Sequence, residues 1–348
     1  MPTALTALKK QIQIGNESTP GTAVAATEIL LAIMESQYSS EMFFVPEDDR
    51  NLLAIDKANR FKVQDIAELV MTGNVNHRHA PFLFGSTIRG NITPTQPDVT
   101  NEPLAYLWTY QGGLTAGNTP DITNGIDTYT IEFGDNLDDY EAPYCFTKTL
   151  VITGEAGDAP VTFEQTFTAS KITAGITPTA ALTIQSVQYF PANTVSFYID
   201  TSYAGIGGSV KTDLLKAFTW TLETQFTPRF TTSGVFTFAG VNEAAKQVEL
   251  ELTYLRGTLS EVEKALAVAG STTYLRIKLL GGTELDSGQS NPPYIYLDGA
   301  YQYDTPWPAP EDADGARTDT VTAKSVYDAT GTRDFEVAVF TDLASWPA

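Results

Sequence analysis

The sequence predicts a mainly β protein, and three observations support that prediction. Threonine accounts for 48 of the 348 residues, and 18 Phe and 16 Tyr accompany it, a composition that suits half-buried pleated surfaces. Charged residues make up only 18% of the chain, below the roughly 25% of an average globular protein. Segments of alternating apolar and polar residues recur along the chain, bounded by Gly, Asp or Pro.

The beginning of the chain is predicted to be extended rather than folded into a module. Residues 10–15 alternate with the period of a strand and lead into the turn-rich segment 16–21. Residues 22–34 are apolar and rich in Ala, which is compatible with a short helix or an extended packed arm. Residues 64–76 predict a strand pair.

Two helices are predicted. Asn101 as the N-cap, Pro103 near the first turn and Gly112 at the end predict the first. Ser260 followed three residues later by Glu263 has the pattern of a capping box, and predicts a helix over 259–268. The remaining alternating segments predict strands over residues 127–133, 147–153, 161–169, 195–200, 217–223, 247–254, 274–280, 293–301, 318–327 and 335–340.

The order of a strand pair, one helix and a strand series therefore occurs twice, with the helices about 159 positions apart. We predict an arm over 1–40 and two tandem β modules over 41–205 and 206–348, each with a flanking α-helix. A competing repeat, F-T-x-T-L at 146–150 and again at 218–222, has a different offset of 72 residues, so the two offsets cannot both mark one duplication.

Composition excludes several classes of protein. Forty-two acidic against 21 basic residues leave a formal charge of −21, which disfavours a tightly held nucleic acid. No apolar run approaches the length of a membrane span, and we expect no secretory leader. The single cysteine, Cys145, cannot form an intrachain disulfide, and we expect it to be a buried core thiol.

Negative charge is unevenly distributed. Residues 90–147 hold nine acids and no Lys or Arg, which is too one-sided for salt-bridged packing. Residues from 304 onward hold nine acids and three bases. We expect some of these acids to stay unpaired on a continuous negative wall, and the candidates are Asp121, Asp127, Asp135, Asp138, Asp139 and Glu141.

Candidate metal and catalytic sites are weak. His77-Arg78-His79 lacks a third ligand and predicts a surface turn rather than a metal site. Residues 135–141 are rich in carboxylates but lack the spacing of a calcium loop, and the Asp-Gly at 314–315 predicts a hairpin turn. No nucleophile elbow or phosphate-binding loop is present, so we predict neither catalysis nor a cofactor.

An aromatic cluster near the end of the chain has two interpretations. It consists of Tyr294, Tyr296, Tyr301, Tyr303 and Trp307. Such residues can stack on sugars, but in a two-layer β fold they more often belong to the core or to an interface.

Both ends of the chain resemble one protein family. Residues 14–23, IGNESTPGTA, resemble the G-x-E-x-x-x-G-T-A start of the tail tube (major tail) proteins of long-tailed, siphovirus-type bacteriophages. The segments 314–328 and 335–340 also resemble that family. The resemblance implies β-sandwich modules whose sheets join across subunits into a barrel, with rings that stack into a tube, and it carries no catalytic residues.

The resemblance implies a structural virion protein that acts by self-assembly. The arm, which would leave an apolar patch on a lone subunit, is expected to contact the next subunit through Ile14, Glu17, Pro20, Gly21, Ile29 and Leu30. The acidic wall would face the lumen, where DNA passes without specific binding. Two modules per chain favour a homotrimeric, pseudo-hexameric ring, with a homohexamer as the alternative.

The expected partners are further copies of the chain, a tape measure protein and the tail terminator and tip proteins, with no membrane. The expected location is the phage tail, assembled in the host cytoplasm. A different class of function is a carbohydrate-binding adhesin of the tail tip, which would use the tyrosines at 294–303 and would bind calcium through the acidic loops. A glycosidase-like enzyme is the most distant alternative.

Overall fold

The computed structural model describes residues 11–36, 41–46, 60–112, 114–115, 119–120, 125–135, 137–232, 236–285, 291–313 and 315–346. The chain is mainly β, as predicted. The strands are β1 Ile12–Asn16, β2 Glu28–Leu30, β3 Ile33–Ser36, β4 Glu41–Pro46, β5 Arg60–Asn74, β6 Tyr106–Gln111, β7 Leu114–Thr115, β8 Thr119–Pro120, β9 Tyr129–Gly134, β10 Asp139–Glu155, β11 Thr162–Ala169, β12 Thr173–Ala174, β13 Ser196–Asp200, β14 Leu215–Glu223, β15 Thr227–Arg229, β16 Gly240–Asn242, β17 Gln247–Leu255, β18 Thr273–Leu280, β19 Tyr294–Tyr303, β20 Glu311–Ala313, β21 Ala316–Ser325 and β22 Phe335–Thr341. The helices are α1 Ala80–Gly85 and α2 Thr258–Val268.

Antiparallel ladders join most strands into two large layers. The first sheet has the order β5-β11-β10-β14-β17-β21, and the second has the order β6-β22-β19-β18-β13. Strand β19 connects the layers, because residues 294–299 pair with β22 and residues 301–303 pair with β21. The first part of β10 extends past the first sheet and pairs with β9, to which β1 and then β2 are added.

The core lies between the two sheets. Trp220 of the first sheet meets Phe335 of the second with ring centroids 6.4 Å apart, and Phe84 of α1 lies 6.2 Å from Trp220. All six residues of α1 are buried, so this short apolar helix is part of the core. Tyr110 and Tyr129 donate hydrogen bonds to the carbonyl oxygens of Pro81 and Phe82, which tie β6 and β9 to α1.

The predicted first helix is wrong, because its second half is strand β6. Asn101, Glu102 and Pro103 form a turn in which the Glu102 N–H donates to the Asp98 carbonyl. The following residues alternate with period two, and Trp108 and Tyr110 point into the core. The cap-like residues therefore mark a turn before a strand. Helix α1 was not predicted.

Two smaller predictions also change. Residues 64–76, predicted as a strand pair, lie for the most part in the single long strand β5. The helix predicted over 259–268 is confirmed as α2, but Ser260 is not its N-cap. The Ser260 hydroxyl lies in the first turn and accepts the N–H of Gly257, which is the capping residue. The extended form of the arm, rather than a helix, is present over 22–34.

Strands on either side of the predicted module boundary at 205/206 pair with each other. Strand β10 pairs with β14 over seven residues, and β22 pairs with β6 over six. The main hydrophobic cluster holds residues from both sides of the boundary, and so does a smaller one formed by Tyr144, Phe146, Phe226 and Phe238. Cys145 is a buried free thiol, as expected.

Candidate functional site

The acids expected to form an unpaired wall lie in several different environments. Asp121 lies outside the described residues. Asp127 is only 5% exposed, its Oδ1 accepts the N–H of Asn91, and burial raises its pKa to about 6. The expectation that Asp127 faces a channel is therefore wrong. Glu141 is half-buried, and burial, together with the nearby Glu132, raises its pKa.

The acids of the β9–β10 turn are used to build that turn. Asp135 Oδ1 accepts the N–H groups of Leu137 and Asp138 at 2.7 and 3.0 Å. Asp138 Oδ1 accepts the N–H groups of Asp139 and Gly175. Carboxylates with these bonds hold a tight turn. They are therefore not unpaired, which differs from the expectation drawn from the sequence.

The predicted arm packs within its own chain. Ile14, Ile29 and Leu30 are 0–3% exposed, so they form no apolar patch on a lone subunit, and that expectation is wrong. Strand β1 pairs with β9, which places the arm in the sheet. The turn that carries Pro20 and Gly21 is exposed, and so is Ile33, at 55%. Contact of this turn with a next subunit stays a prediction.

Glu17 is a buried hub of that arm. Its carboxylate accepts the backbone N–H groups of Gly21 and Tyr144 at 2.7 and 2.8 Å. It also accepts the hydroxyls of Thr128 and Thr130, both at 2.9 Å. Glu17 thus ties the arm to β9 and β10 inside one chain.

Residues 77–79 form a turn, as predicted, but the turn does not lie on the surface, because both histidines are 3% exposed. Arg78 donates to Glu28 and to Asp342, each at 3.2 Å, and His77 Nε2 lies 3.2 Å from Asp342. Burial and the adjacent Arg78 lower the pKa of His79 to about 4. The cluster joins the arm to the chain after β22.

The aromatic cluster belongs mainly to the interior. Tyr301 and Tyr303 are buried, and Tyr303 donates to Glu263 of α2. Tyr294 stacks against Tyr296 and against Phe340 with ring centroids 4.4 and 4.8 Å apart. These rings contact each other, and the sugar-stacking alternative gains nothing from this arrangement.

A different surface carries excess negative charge in an ordered pattern. Along the strands of the first sheet, alternate residues such as Phe163, Trp220 and Leu250 are buried in the core. The residues between them point outward, and we call this surface the acidic threonine face. Its acids are Glu68, Glu155, Glu164, Glu223, Glu249 and Glu251, and its threonines are Thr72, Thr149, Thr153, Thr162, Thr166, Thr219, Thr221, Thr253, Thr320 and Thr322.

The strand register orders these side chains into rows. One row runs Thr72, Glu164, Val151, Thr221, Glu249 and Lys324, and the next runs Asn74, Thr162, Thr153, Thr219, Glu251 and Thr322. Six strands at the usual spacing make each row about 24 Å wide. Hydroxyls thus separate the carboxylates across a broad sheet surface.

Two lysines partly balance the face. Lys148 lies 3.0 Å from Glu68, and Lys324 lies 3.9 Å from Glu249. All four side chains are 41–56% exposed, so solvent weakens these pairs. The face therefore keeps a net negative charge and presents hydroxyls that bind water.

The acidic threonine face was not predicted from the sequence, because the prediction used the number of acids that are close together along the chain. The available signal was the polar half of each alternating segment, for example Thr162, Glu164 and Thr166 between buried residues. Only the pairing of distant strands reveals that these polar halves lie side by side.

No model of a known protein family matches the chain, and a search of curated proteins finds no match either. Among the described ranges, no group of three or more His, Cys, Asp or Glu side chains is placed to hold a metal ion. None of the helices in the described part of the chain is long and apolar enough to cross a membrane.

Proposed function

We propose that the protein is a structural subunit of a bacteriophage tail tube, without catalytic activity, that self-assembles into stacked rings around a channel for genome DNA. The observation that carries the proposal is the acidic threonine face. It is a broad sheet surface with six carboxylates, two of which pair with the ammonium groups of Lys148 and Lys324. It supports the resemblance of both chain ends to tail tube proteins.

The physical reason is electrostatic. Duplex DNA has a high density of negative charge and binds proteins chiefly through Lys and Arg. A channel wall with excess carboxylates repels phosphates, and its hydroxyls keep the wall hydrated, so DNA can slide without being held. We assign the lumen to this face, in place of the acids of residues 90–147.

Assembly would use the edges of the sheets, which would join across subunits into a barrel. In the described part of the chain, β6 is laddered on one side only, by β22, apart from a single bridge between Thr95 and Leu107. An edge of this kind is available to a strand of a neighbouring subunit. Stacked rings would then meet a tape measure protein and the terminator and tip proteins within the tail, after assembly in the host cytoplasm.

The number of subunits in the ring is a separate question. The sequence favours a trimeric ring because the predicted order of elements repeats. In the structure, however, the first predicted helix of that repeat is replaced by strand β6. A trimer of two tandem modules per chain and a hexamer both remain compatible with a closed ring. Symmetry analysis of tube images separates threefold from sixfold repetition.

Electron microscopy of the purified full chain tests the proposal. We expect long hollow tubes of uniform diameter. Discrete particles without a channel, in particular particles that bind glycans on an array, would contradict the tube and support a tail-tip adhesin.

A further inference from the structure

A cavity of about 300 Å³ lies between the two sheets, beside strand β13. Its walls come from the end of β10, the first residues of β13 and β14, and the chain segments 192–195 and 210–213. Sites for small organic molecules have volumes from about 300 Å³ upward. The cavity is therefore large enough to hold a small ligand.

The buried part of the cavity wall, which we call the floor, is apolar. Phe197 of β13 and Phe218 of β14 line it and are 2% and 3% exposed. The half-buried Val195 and Leu215, which pack against the same hydrophobic cluster, line it as well. A Cβ at Gly154 would lie 2.5 Å from the Phe218 ring, so glycine lets this ring pack directly on the backbone of β10. The floor favours a ligand with an apolar body, because contact with that body removes apolar surface from water.

Four charged residues line the rest of the cavity, and their burial differs with their sign. Glu155 and Asp213 are exposed, whereas Lys211 and Lys216 are half-buried. The two cations are thus less accessible to water than the two acids, so water screens their charge less. This arrangement favours a negatively charged group on the ligand.

Lys211 is a cation without an acid partner. Its backbone N–H donates to the Phe197 carbonyl oxygen at 2.7 Å, which holds the residue beside β13. Its ammonium forms no hydrogen bond or ion pair with the described part of the chain. The buried Glu263 of α2 lies near enough for the two charges to interact, but its carboxylate accepts the Tyr303 hydroxyl instead. An anion that entered the cavity would give Lys211 the charge-assisted bond that the chain does not provide.

We propose that this cavity binds a small amphipathic monoanion. Its apolar body lies against Phe197 and Phe218, and its carboxylate pairs with Lys211. Both parts are required, because an inorganic anion leaves the floor uncovered and an uncharged hydrocarbon leaves Lys211 without a partner. The inference goes beyond tube assembly and does not depend on it.

Isothermal titration calorimetry of the purified full chain with hexanoate, octanoate and decanoate tests the ligand class. We expect one site per chain and an affinity that rises about fourfold with each added CH₂ group. Acetate, which lacks the apolar body, and octylamine, which has the same body as an octyl anion but a cationic head, should not bind. Octylamine that binds as tightly as octanoate, or decanoate that shows no saturable binding, would overturn the proposal.

Lys211→Gln tests the assigned head group. The variant keeps the backbone bond to Phe197 and should bind decanoate at least about tenfold more weakly, because the charged hydrogen bond is lost. Lys264→Gln is the matched control. Lys264 is 41% exposed on α2 and does not line the cavity, so this variant should bind like the native protein. Native affinity in Lys211→Gln would contradict the pairing of the carboxylate with Lys211.

A larger side chain in the wall tests the location. Ala192→Phe fills the cavity from a buried position, and Ser196→Phe fills it from a half-buried position where the fold tolerates the change more easily. Circular dichroism identifies which of the two variants is folded. A folded variant should lose decanoate binding, and unchanged binding in a folded variant would show that the anion binds elsewhere.

Discussion

Glu17 and two glycines near it explain why the G-x-E-x-x-x-G pattern stands at the start of the chain. A Cβ on Gly15 would lie 2.5 Å from the Ala25 carbonyl oxygen, so only glycine permits this close approach. Gly21 has a φ of 81° and closes the turn with an N–H bond to Glu17. The motif therefore folds the arm onto its own subunit.

We expect Glu17→Ala to lower the free energy of unfolding by at least about 3 kcal/mol, because it leaves three buried donors and the part-buried Gly21 N–H without their acceptor. Glu17→Gln keeps one accepting oxygen and should cost less, about 1–2 kcal/mol. Urea denaturation at neutral pH measures both. Equal stability of Glu17→Ala and the native protein would show that the hub does not support the fold.

Asp127 makes stability depend on pH. Burial raises its pKa to about 6, and its Oδ2 has no hydrogen-bond partner among the described residues. The folded protein therefore holds this proton more tightly than the unfolded chain does. Its contribution is present below about pH 4 and is lost as the pH rises to about 6.

Asp127→Asn removes this titration while its side-chain oxygen can still accept the Asn91 N–H. Relative to the native protein, the variant should gain up to about 3 kcal/mol of unfolding free energy between pH 4 and pH 7, from a shift of about two pKa units. Denaturation curves at several pH values measure the difference. A difference that stays constant over this range would show that Asp127 is ionised normally. Burial likewise raises the pKa of Asp334 to about 6. Asp334 must therefore stay unchanged in both proteins of this comparison.

At the scale of elements, strands β1 and β2 belong to the folded unit. Ile12, Ile14, Ile29 and Leu30 are each at most 3% exposed, which corresponds to about 6–12 kcal/mol of hydrophobic burial. That is comparable with the whole stability of a typical domain. Deleting residues 1–34 should therefore give unfolded or insoluble protein, as judged by circular dichroism.

A substitution in the exposed turn separates folding from assembly. Thr22→Lys should leave the free energy of unfolding unchanged, because Thr22 is exposed. If the turn contacts the next subunit, as the resemblance implies, this variant should fail to form tubes. A well-folded deletion of residues 1–34 would contradict the structural role of the arm within its own subunit.

Alternation was a reliable guide to strands because one side of each strand is buried. Residues 217–223 and 274–280 were predicted nearly as they are found in β14 and β18. Helix signals were less reliable. Asn101 and Pro103 are as common in turns as at helix starts. Trp108 and Tyr110, two residues apart, both point into the core, which is the pattern of a strand. The all-apolar segment of α1 carries no period that separates helix from strand.

The location of the acidic threonine face could not be predicted for a different reason. Which outward-pointing side chains lie next to each other depends on which strands pair, and β11 and β17 are about 80 residues apart in sequence. Local charge density pointed instead to residues 135–141, where the carboxylates are needed to cap backbone N–H groups. A high local count of acids indicates turns as readily as it indicates a surface.

At the scale of the whole molecule, the two sheets give the subunit sides of different character. The first sheet turns outward the acidic threonine face, and the second sheet turns outward Arg276 and Lys278, which lie over the Tyr296 ring. A subunit with one acidic side is suited to line a channel with that side. The remaining surfaces are then free for contacts between copies.

Reversing charge on the acidic threonine face should make tubes retain DNA. We expect tubes of a Glu164→Lys, Glu249→Lys, Glu251→Lys variant, assembled with linear duplex DNA at low salt, to keep DNA that sediments with them and resists nuclease. Native tubes should keep none. The retained DNA should fall steeply as salt rises, because Lys–phosphate contacts release counterions.

The control variant Asp158→Lys, Glu284→Lys, Asp312→Lys makes the same change of charge at exposed positions off the face. Its bound DNA should be digested, because that DNA lies outside the tube. If nuclease removes the DNA from both variants alike, the face lies on the outer surface and does not line the channel.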